Sequence, residues 1–311
     1  MKLLVFGSCN IDRVYRLPHI VAPGETERTC DYAVFPGGKG LNQAIAAAAA
    51  GAAVFFAGAV GKDGDLLTET LARRGVDISL LQTTDGESGH AVIQVSDSGE
   101  NAIFLYPGAN ETVGEAYIDA VLGHFGAGDL LLLQNEISNL PYLVARARQR
   151  GMHILLNPSP VNERLRDVDF AAVNCLILNE VEMRALGGDE NLAVCLQNLA
   201  ARYPHLQILL TLGKDGCLFA ADGSLTRQAA FETVTVDTTA AGDTFTGYFA
   251  AALARGEDLG EALQCASAAA AIAVSRKGAA PSIPPLAEVR AARAGGMREL
   301  QTSFDIDPNQ P

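Results

Sequence analysis

Thr233-Val234-Thr235-Val236-Asp237-Thr238-Thr239-Ala240-Ala241-Gly242-Asp243 is the stretch whose reading decides the fold. Thr233 to Val236 is rich in β-branched residues and reads as a short strand. Beyond it Phe245, Phe249, Ala252 and Leu253 recur at helical spacing, and Gly256 supplies a C-terminal stop. The expectation is a strand, a tight turn of small residues, then a helix. Small residues let the backbone approach a ligand closely, and the first amides of a helix lack intrahelical partners. Such a helix start attracts anions. Asp243 puts a carboxylate there, and the residue alone has two readings. It could cap the helix, since Asp is a favoured N-cap. It could equally be a general base, aimed at a hydroxyl that attacks a phosphate resting on the same helix end.

A second stretch, Pro36-Gly37-Gly38-Lys39-Gly40-Leu41-Asn42-Gln43, runs into an alanine-rich helix that Gly51 ends. It lacks the Gly-x-x-x-x-Gly-Lys-Ser/Thr pattern of a Walker A loop, and it lacks the third glycine of a dinucleotide fingerprint. What remains is a glycine turn with Lys39 and Asn42 at a helix start, suited to hydroxyls or an anion.

Composition narrows the partners. The 311 residues allow one large domain or two ordinary ones, and 49% hydrophobic residues supply a buried core. A formal charge of −13 argues against nucleic acid and anionic membrane. It also requires that any bound nucleotide be held by local amides and cations. Cys9, Cys30, Cys175, Cys195, Cys217 and Cys265 form no Cys-x-x-Cys pair, which suits reduced, mostly buried thiols in a cytoplasmic protein. The histidines lack metal-type spacing, so no zinc site is expected. No signal peptide is read at the start, where Leu3 to Phe6 is a strand. Ala44 to Gly61 is uncharged for 18 residues, but its alanines and Gly51 favour helix, turn and buried strand over a membrane span.

Apolar runs recur at Leu3–Phe6, Val54–Ala59, Leu130–Leu133, Ile154–Leu156, Cys175–Leu178 and Ile208–Leu212, with helical patterns such as Leu66–Arg74, Leu140–Arg150 and Leu192–Arg202 between most of them. Continuous apolar strands separated by helices indicate a parallel sheet covered on both faces. Ligands of such sheets collect at the carboxyl ends of the strands. Asn10, Asp12, Glu136, Asn157, Asn179, Glu182, Gly213 and Lys214 all follow strand ends, which marks a site there. Two stretches break the pattern: Arg13–Leu17 with Glu27–Phe35, and Ala91–Val95 with Ala102–Tyr106. They alternate without helices and read as antiparallel hairpins outside the main sheet.

Together the two glycine-bearing stretches resemble the two signatures of the ribokinase-like (PfkB) family of carbohydrate kinases. The resemblance runs from Gly7-Ser8-Cys9-Asn10-Ile11-Asp12 to Arg276-Lys277-Gly278-Ala279-Ala280-Pro281-Ser282, and the forms of both signatures are nearest the ribokinase branch. It implies a three-layer α/β/α fold with a mostly parallel central sheet and a small β-sheet lid. One kinase domain would span 1–301, with lid segments at about 11–36 and 89–109 and a polar, loosely held tail at 302–311. Two lids would clasp into a homodimer.

The same resemblance favours the base reading of Asp243, with the amides of Ala240, Ala241, Gly242 and Asp243 as an anion hole. Asn10, Asp12, Gly38, Lys39, Asn42 and Glu136 match sugar-binding positions, with Asp12 accepting hydrogen bonds from two ring hydroxyls. Asn179 and Glu182 match the Asn-x-x-Glu motif that handles Mg²⁺ and its waters around the phosphates of ATP. Thr211, Gly213, Lys214 and Gly216 match the nucleotide-binding loop, and Gly242 is assigned to nucleotide binding with them. Asp237, Thr239, Ala273, Arg276, Gly278 and Ser282 match a K⁺ site built mainly from carbonyl oxygens.

The activity so implied is ATP-dependent phosphorylation of the primary hydroxyl of a pentose, D-ribose first, to give the 5-phosphate. Gly89-His90-Ala91 departs from the family pattern, which carries small residues there; Leu41 and Thr239 depart too. A His90 facing the sugar would favour a different or larger acceptor. One alternative is a kinase for another sugar or a nucleoside, with Tyr106 on an apolar lid face. Another is a non-catalytic sensor of sugar or nucleotide, against which Asp243, Asn179 and Glu182 argue, since a binder needs no base.

Overall fold

The computed structural model describes residues 1–301, and the tail expected at 302–311 lies outside them. In chain order the first strands are β1 (Leu3–Phe6), β2 (Asn10–Leu17), β3 (Asp31–Gly37), β4 (Val54–Ala57), β5 (Ala59–Val60) and β6 (Gln82–Thr83). There follow β7 (Gly89–Ser96), β8 (Asn101–Tyr106), β9 (Leu130–Gln134), β10 (His153–Asn157) and β11 (Cys175–Asn179). The last are β12 (Gln207–Thr211), β13 (Cys217–Ala221) and β14 (Ser224–Gln228). The helices are α1 (Lys39–Ala49), α2 (Asp65–Arg73), α3 (Glu115–Leu122), α4 (Leu140–Gln149) and α5 (Glu180–Gly187). They continue with α6 (Leu192–Arg202), α7 (Ala241–Arg255), α8 (Leu259–Val274) and α9 (Leu286–Ala294).

The main sheet has the order β14-β13-β12-β11-β10-β9-β1-β4. From β12 to β4 every pairing is parallel; β13 and β14 add an antiparallel edge. Alternate residues of each strand feed two different cores, because side chains alternate faces with period two. Leu3, Val5, Leu130, Leu132 and Ile177 pack under α1, α2, α7, α8 and α9. Leu4, Phe6, Leu131, Leu133 and Leu178 pack under α3, α4, α5 and α6. The layers are therefore α/β/α, as the uninterrupted apolar runs require.

A separate four-stranded sheet has the order β3-β2-β7-β8. Both hairpins expected from the alternating stretches form, and they join through a parallel ladder between β2 and β7. The strand expected over Thr233–Val236 does not form. Val234 and Val236 are exposed, and the segment instead caps the end of α8: Thr233 Oγ1 donates to the Ala271 carbonyl and the Val236 amide to that of Val274. β-branched residues favour a strand only where another strand is there to pair with. The ladder ends at β14, and Phe231 makes only an isolated bridge with Glu299. All six cysteines are unpaired, with only Cys30 exposed. Among the described residues no helix is long and apolar enough to cross a membrane.

The contact that matters most for the site is α1 against α7. A Cβ on Gly247 would stand 2.5 Å from both Ala46 Cβ and the Gln43 carbonyl oxygen, so only glycine permits this approach. Asn42 and Gln43 on α1 thereby come level with Asp243, one helical turn before Gly247. Gly247→Ala should cost about 1–3 kcal/mol by overpacking. Gly126→Ala, whose methyl would meet nothing within 4 Å, serves as the control. Urea unfolding of the two variants checks this; equal midpoints would contradict the close approach.

Candidate active site

The turn before α7 is strained where the sequence is smallest. Ala240 is the N-cap and has φ 59°, in the left-handed region that costs a non-glycine residue about 1 kcal/mol. Asp243 is not the cap. It lies three residues into the helix, buried, with both oxygens engaged: Asn42 Nδ2 donates to Oδ2 and Gln43 Nε2 to Oδ1, each at 3.0 Å. The Ala241 amide donates to the Thr238 carbonyl at 3.2 Å, and the first intrahelical bond runs from the Thr244 amide to Ala240. The amides of Gly242 and Asp243 fall between these two bonds, at the end of the helix dipole that attracts anions.

Around Asp243 the structure gathers Asp12, Glu136 and Lys39 from three distant parts of the chain. Burial, then the charges of Glu136 and Asp243, push the Asp12 carboxyl up to about 7. Burial also raises Glu136, against the opposing pull of Lys39, the Ser8 hydroxyl and the Lys39 amide, which donates to Glu136 Oε2 at 3.2 Å. The Ser8 hydroxyl makes a close hydrogen bond to the same oxygen. Burial works against the Lys39 ammonium, yet Asp243, Glu136 and Glu182 together hold it above its usual range. Asn42 Oδ1 is a buried acceptor with no protein partner. Leaving such an atom unpaired is costly, so a ligand donor fits it. Asn10 and Gly38 sit beside this group: Asn10 Oδ1 accepts from Asn110 Nδ2 at 2.8 Å, and Gly38 is the N-cap of α1.

Two cavities meet at the start of α7. One, of about 400 Å³, is walled by Thr211, Gly213, Lys214 and Gly216 on one side and by Gly242 and α8 residues on the other. Gly216 has φ 95°, and a Cβ there would lie 2.1 Å from the Gln228 carbonyl oxygen, so the turn that shapes this wall requires glycine. The second cavity, of about 420 Å³, contains Lys39, Asn157, Asn179, Glu182 and Asp243 and shares Thr211, Gly213, Ala241 and Gly242 with the first. A flat ligand with an anionic end could span both, its charge at the helix start.

Asn179 and Glu182 form a capping box on α5: Asn179 Oδ1 accepts the Glu182 amide and Glu182 Oε2 the Asn179 amide, both at 3.0 Å. The motif is thus first a helix start, with one buried carboxylate turned to the second cavity. Among the described residues, the grouping of three carboxylate or imidazole side chains able to hold a metal is His19, Glu25 and Glu27, exposed between β2 and β3. The histidine spacing did not suggest it.

Asp237 ties two loops together, accepting from the Gly278 amide at 2.9 Å and from the amide and hydroxyl of Thr239 at 2.9 and 2.6 Å. Burial opposes its ionisation, but those bonds and Lys277 hold it below the usual carboxylate range. Ala273 accepts the Arg276 amide, Ser282 donates to the Ala279 carbonyl, and the Arg276 side chain pairs with Glu288. Oxygen donors from the 237–239 turn therefore lie against the 278 loop, a donor set suited to a hard cation.

The register of the small sheet decides where His90 points. Asp12 pairs with Phe35 on one side and Ala91 on the other, and Ala91 with Leu105. Ile11 pairs with His90, and His90 with Tyr106. Neighbours in a strand face opposite ways, so His90 and Tyr106 share the face opposite Asp12. Their rings pack with centroids 4.9 Å apart. Phe35, Ala91 and Leu105, not His90 or Tyr106, stand beside Asp12.

Gln43 and Gln134, to which the sequence motifs assign no role, join Asn157 in an amide chain to Asp243. The available signal was uncharged amides at the start of a helix otherwise built of buried alanines, since buried amides need partners.

Comparison with known proteins gives one consistent result. The model of the "pfkB family carbohydrate kinase" family matches residues 1–286. A ribokinase of Haemophilus influenzae is 36% identical over 291 residues, covering 91% of this chain and 95% of that protein. A crystal structure of ribokinase from Cryptococcus neoformans in complex with ADP has a TM-score of 0.83 at 34% identity, covering 93% of this chain and 99% of that one. A structure of Arabidopsis thaliana ribokinase complexed with ribose and ATP has a TM-score of 0.84 at 30% identity, covering 93% and 97%.

The carboxylate cluster has a direct check. With its side chain labelled for NMR, Asp12 should titrate near 7, protonated below that pH and ionised above it. Glu136→Gln should lower the midpoint by removing a neighbouring negative charge. An Asp12 midpoint near 4, the ordinary value, would contradict the cluster.

Proposed function

The chain belongs to the pfkB family of carbohydrate kinases, and from that premise we propose that it transfers the γ-phosphoryl group of ATP to the primary hydroxyl of D-ribose. The observation that carries this reading is Asp243, buried beside Asp12 and Glu136 and seated on the amide-bearing start of α7. Relatives of the chain in solved complexes support the substrate pair: one ribokinase is complexed with ribose and ATP, another with ADP.

In this reading Asn10, Asp12, Gly38, Lys39, Asn42 and Glu136 hold the sugar, and Asn42 Oδ1 gains the donor it lacks. Ionised Asp12 accepts hydroxyl hydrogen bonds, so acceptor affinity rises with pH through about 7 and levels off above it. Asp243 takes the proton of the primary hydroxyl as that oxygen bonds to the γ-phosphorus. The bond from the γ-phosphorus to the bridging oxygen breaks in line, and ADP leaves with the electron pair. The amides of Gly242 and Asp243, at the strained turn of Ala240 and Ala241, receive the charge on the transferred group. Thr211, Gly213, Lys214 and Gly216 hold the nucleotide. Mg²⁺ would be handled from Asn179 and Glu182, largely through water, and would offset charge on the phosphate oxygens. K⁺ would lie among Asp237, Thr239, Ala273, Arg276, Gly278 and Ser282 and steady the turn before α7.

Residues 1–301 act as one kinase domain in this proposal, with lid segments 11–36 and 89–109 closing to exclude water. Six unpaired cysteines, five of them buried, fit a reducing compartment, and on that ground we assign the protein to the cytoplasm; a secreted pool would contradict this. Phe35, 43% exposed beside Asp12, favours a nucleoside as the second reading, since an aromatic face can stack on a base.

A coupled ADP-release assay with sugars and nucleosides decides between them: ribose should give the highest kcat/KM. Asp243→Asn should bind both substrates and lose roughly 10²–10⁴ in kcat. Turnover should be higher in K⁺ than in Na⁺ at equal ionic strength. A nucleoside preference, a fully active Asp243→Asn or equal rates in both salts would each remove the corresponding part of the proposal.

The lid also supports a homodimer. Tyr32, Val34, Phe35, Ile103, Phe104, Leu105 and Tyr106 are 40–59% exposed on it, apolar side chains that a second lid could cover. Sedimentation should give a dimer that Phe104→Glu weakens; a wild-type monomer at micromolar concentration would exclude it.

A further inference from the structure

Gln43 is fully buried in α1, next to Asn42. Its Nε2 is 3.0 Å from Asp243 Oδ1 and 3.2 Å from Asn157 Oδ1, and its Oε1 accepts from Gln134 Nε2 at 2.7 Å. Asn157 Nδ2 donates to the main-chain carbonyl of Ile177 at 2.9 Å. A carbonyl can only accept, so this last bond fixes which way the Asn157 amide points. Asn157 Oδ1 must then face Gln43 and demands the NH₂ group there. The bond from Gln134 Nε2 to Gln43 Oε1 is consistent with that orientation. The array therefore has a direction, anchored in the backbone of β11.

That direction has a chemical consequence. Gln43 can offer Asp243 a donor and never an acceptor. An ionised carboxylate uses such a donor, whereas a proton on Oδ1 would meet N–H head on. Asn42 gives Oδ2 a similar bond, but its own Oδ1 has no protein partner, so the protein does not fix its amide from the other end. Gln43 lines neither cavity and answers only to the protein.

We propose that Gln43 is a positioning residue for phosphoryl transfer: through the chain from the Ile177 carbonyl it holds a fixed donor on Asp243 Oδ1 and keeps the carboxylate turned toward the attacking hydroxyl. The proposal rests on the reading of Asp243 as the base. The charged groups around Asp243 are Lys39 on α1, Asp12 on β2 and Glu136 after β9, with Glu182 on α5 acting on Lys39. None of them changes in the variants that follow.

The test is the pH profile of kcat at saturating ATP and acceptor for the wild type, Gln43→Met, Gln134→Leu and Asp243→Asn. Gln43→Met keeps the length and removes the amide. Its kcat at neutral pH should fall roughly 10- to 100-fold with acceptor KM within about threefold. Its acid limb should move up by about one pH unit, so that part of the activity returns in alkali. Gln134→Leu removes one of the bonds that hold the Gln43 amide, leaves the one to Asn157, and should shift the limb the same way by less. A folded Gln43→Met with an unmoved acid limb, or with a loss confined to KM, overturns the proposal. Should Gln43→Met not fold by circular dichroism, an unmoved limb in Gln134→Leu overturns it instead. An active Asp243→Asn would end the base reading and the proposal together; an inactive one beside an unshifted Gln43→Met ends the proposal alone.

Discussion

A polyanion has to be held beside the protein's own carboxylates, and the rest of the structure answers to that constraint. Glu136 and Asp243 are near enough to Asp12, and Asp243 to Glu136, to oppose their ionisation, and Lys39 faces Asp243 and Glu136 together with Glu182. The chain as a whole carries a charge of −13. Long-range attraction therefore cannot bring phosphates in. Close-range dipoles can, because bare helix amides act within a turn of the helix end and carry no net charge to repel the carboxylates. The strained Ala240 is what turns those amides outward, and the tie from Asp237 to Gly278 and Thr239 holds the turn in place.

The scaffold supplies this arrangement through the sheet. Parallel strands end on one edge, so the residues after β9, β10, β11 and β12 converge although they are far apart in sequence. Glu136, Asn157, Asn179 and Thr211 come together in that way. The tight α1–α7 contact at Gly247 then brings donors from a helix of one signature to an acid of the other. Neither signature makes the site alone.

How much of this could be read from the sequence follows from what each feature depends on. The central strands were legible because each is a run of four or five residues, mostly Leu and Ile, that fits only a strand buried on both faces. β13 and β14 form an antiparallel edge that the sequence reading leaves unassigned: β14 has Ser224, Thr226 and Arg227 in place of an apolar run, while the Cys217–Ala221 run of β13 is as apolar as the central strands. Thr233–Val236 was misread as a strand because propensity describes the residue and not whether a partner strand is there. The motif residues were legible as motifs. The amide chain was not, since Gln43 bonds to residues 91, 114 and 200 positions away and nothing local marks those pairings.

The small sheet carries the choice of acceptor, and its register limits where that choice can lie. On the face that bears Asp12 the neighbours are Phe35, Ala91 and Leu105, which offer no polar group. In the proposed reading, hydroxyl recognition falls to the base of the sheet and to α1: Asn10, Asp12, Gly38, Lys39 and Asn42. His90, the residue that breaks the family pattern, is turned away and packs on Tyr106, so its bulk does not narrow the space over Asp12. In the same reading, sugar hydroxyls arrive at an Asp12 carboxyl already pushed up to about 7. Donors to a carboxylate favour its ionised form, so binding of the acceptor and loss of the Asp12 proton reinforce each other. Recognition at the sheet is thereby coupled to charge at the site, before any phosphate has moved.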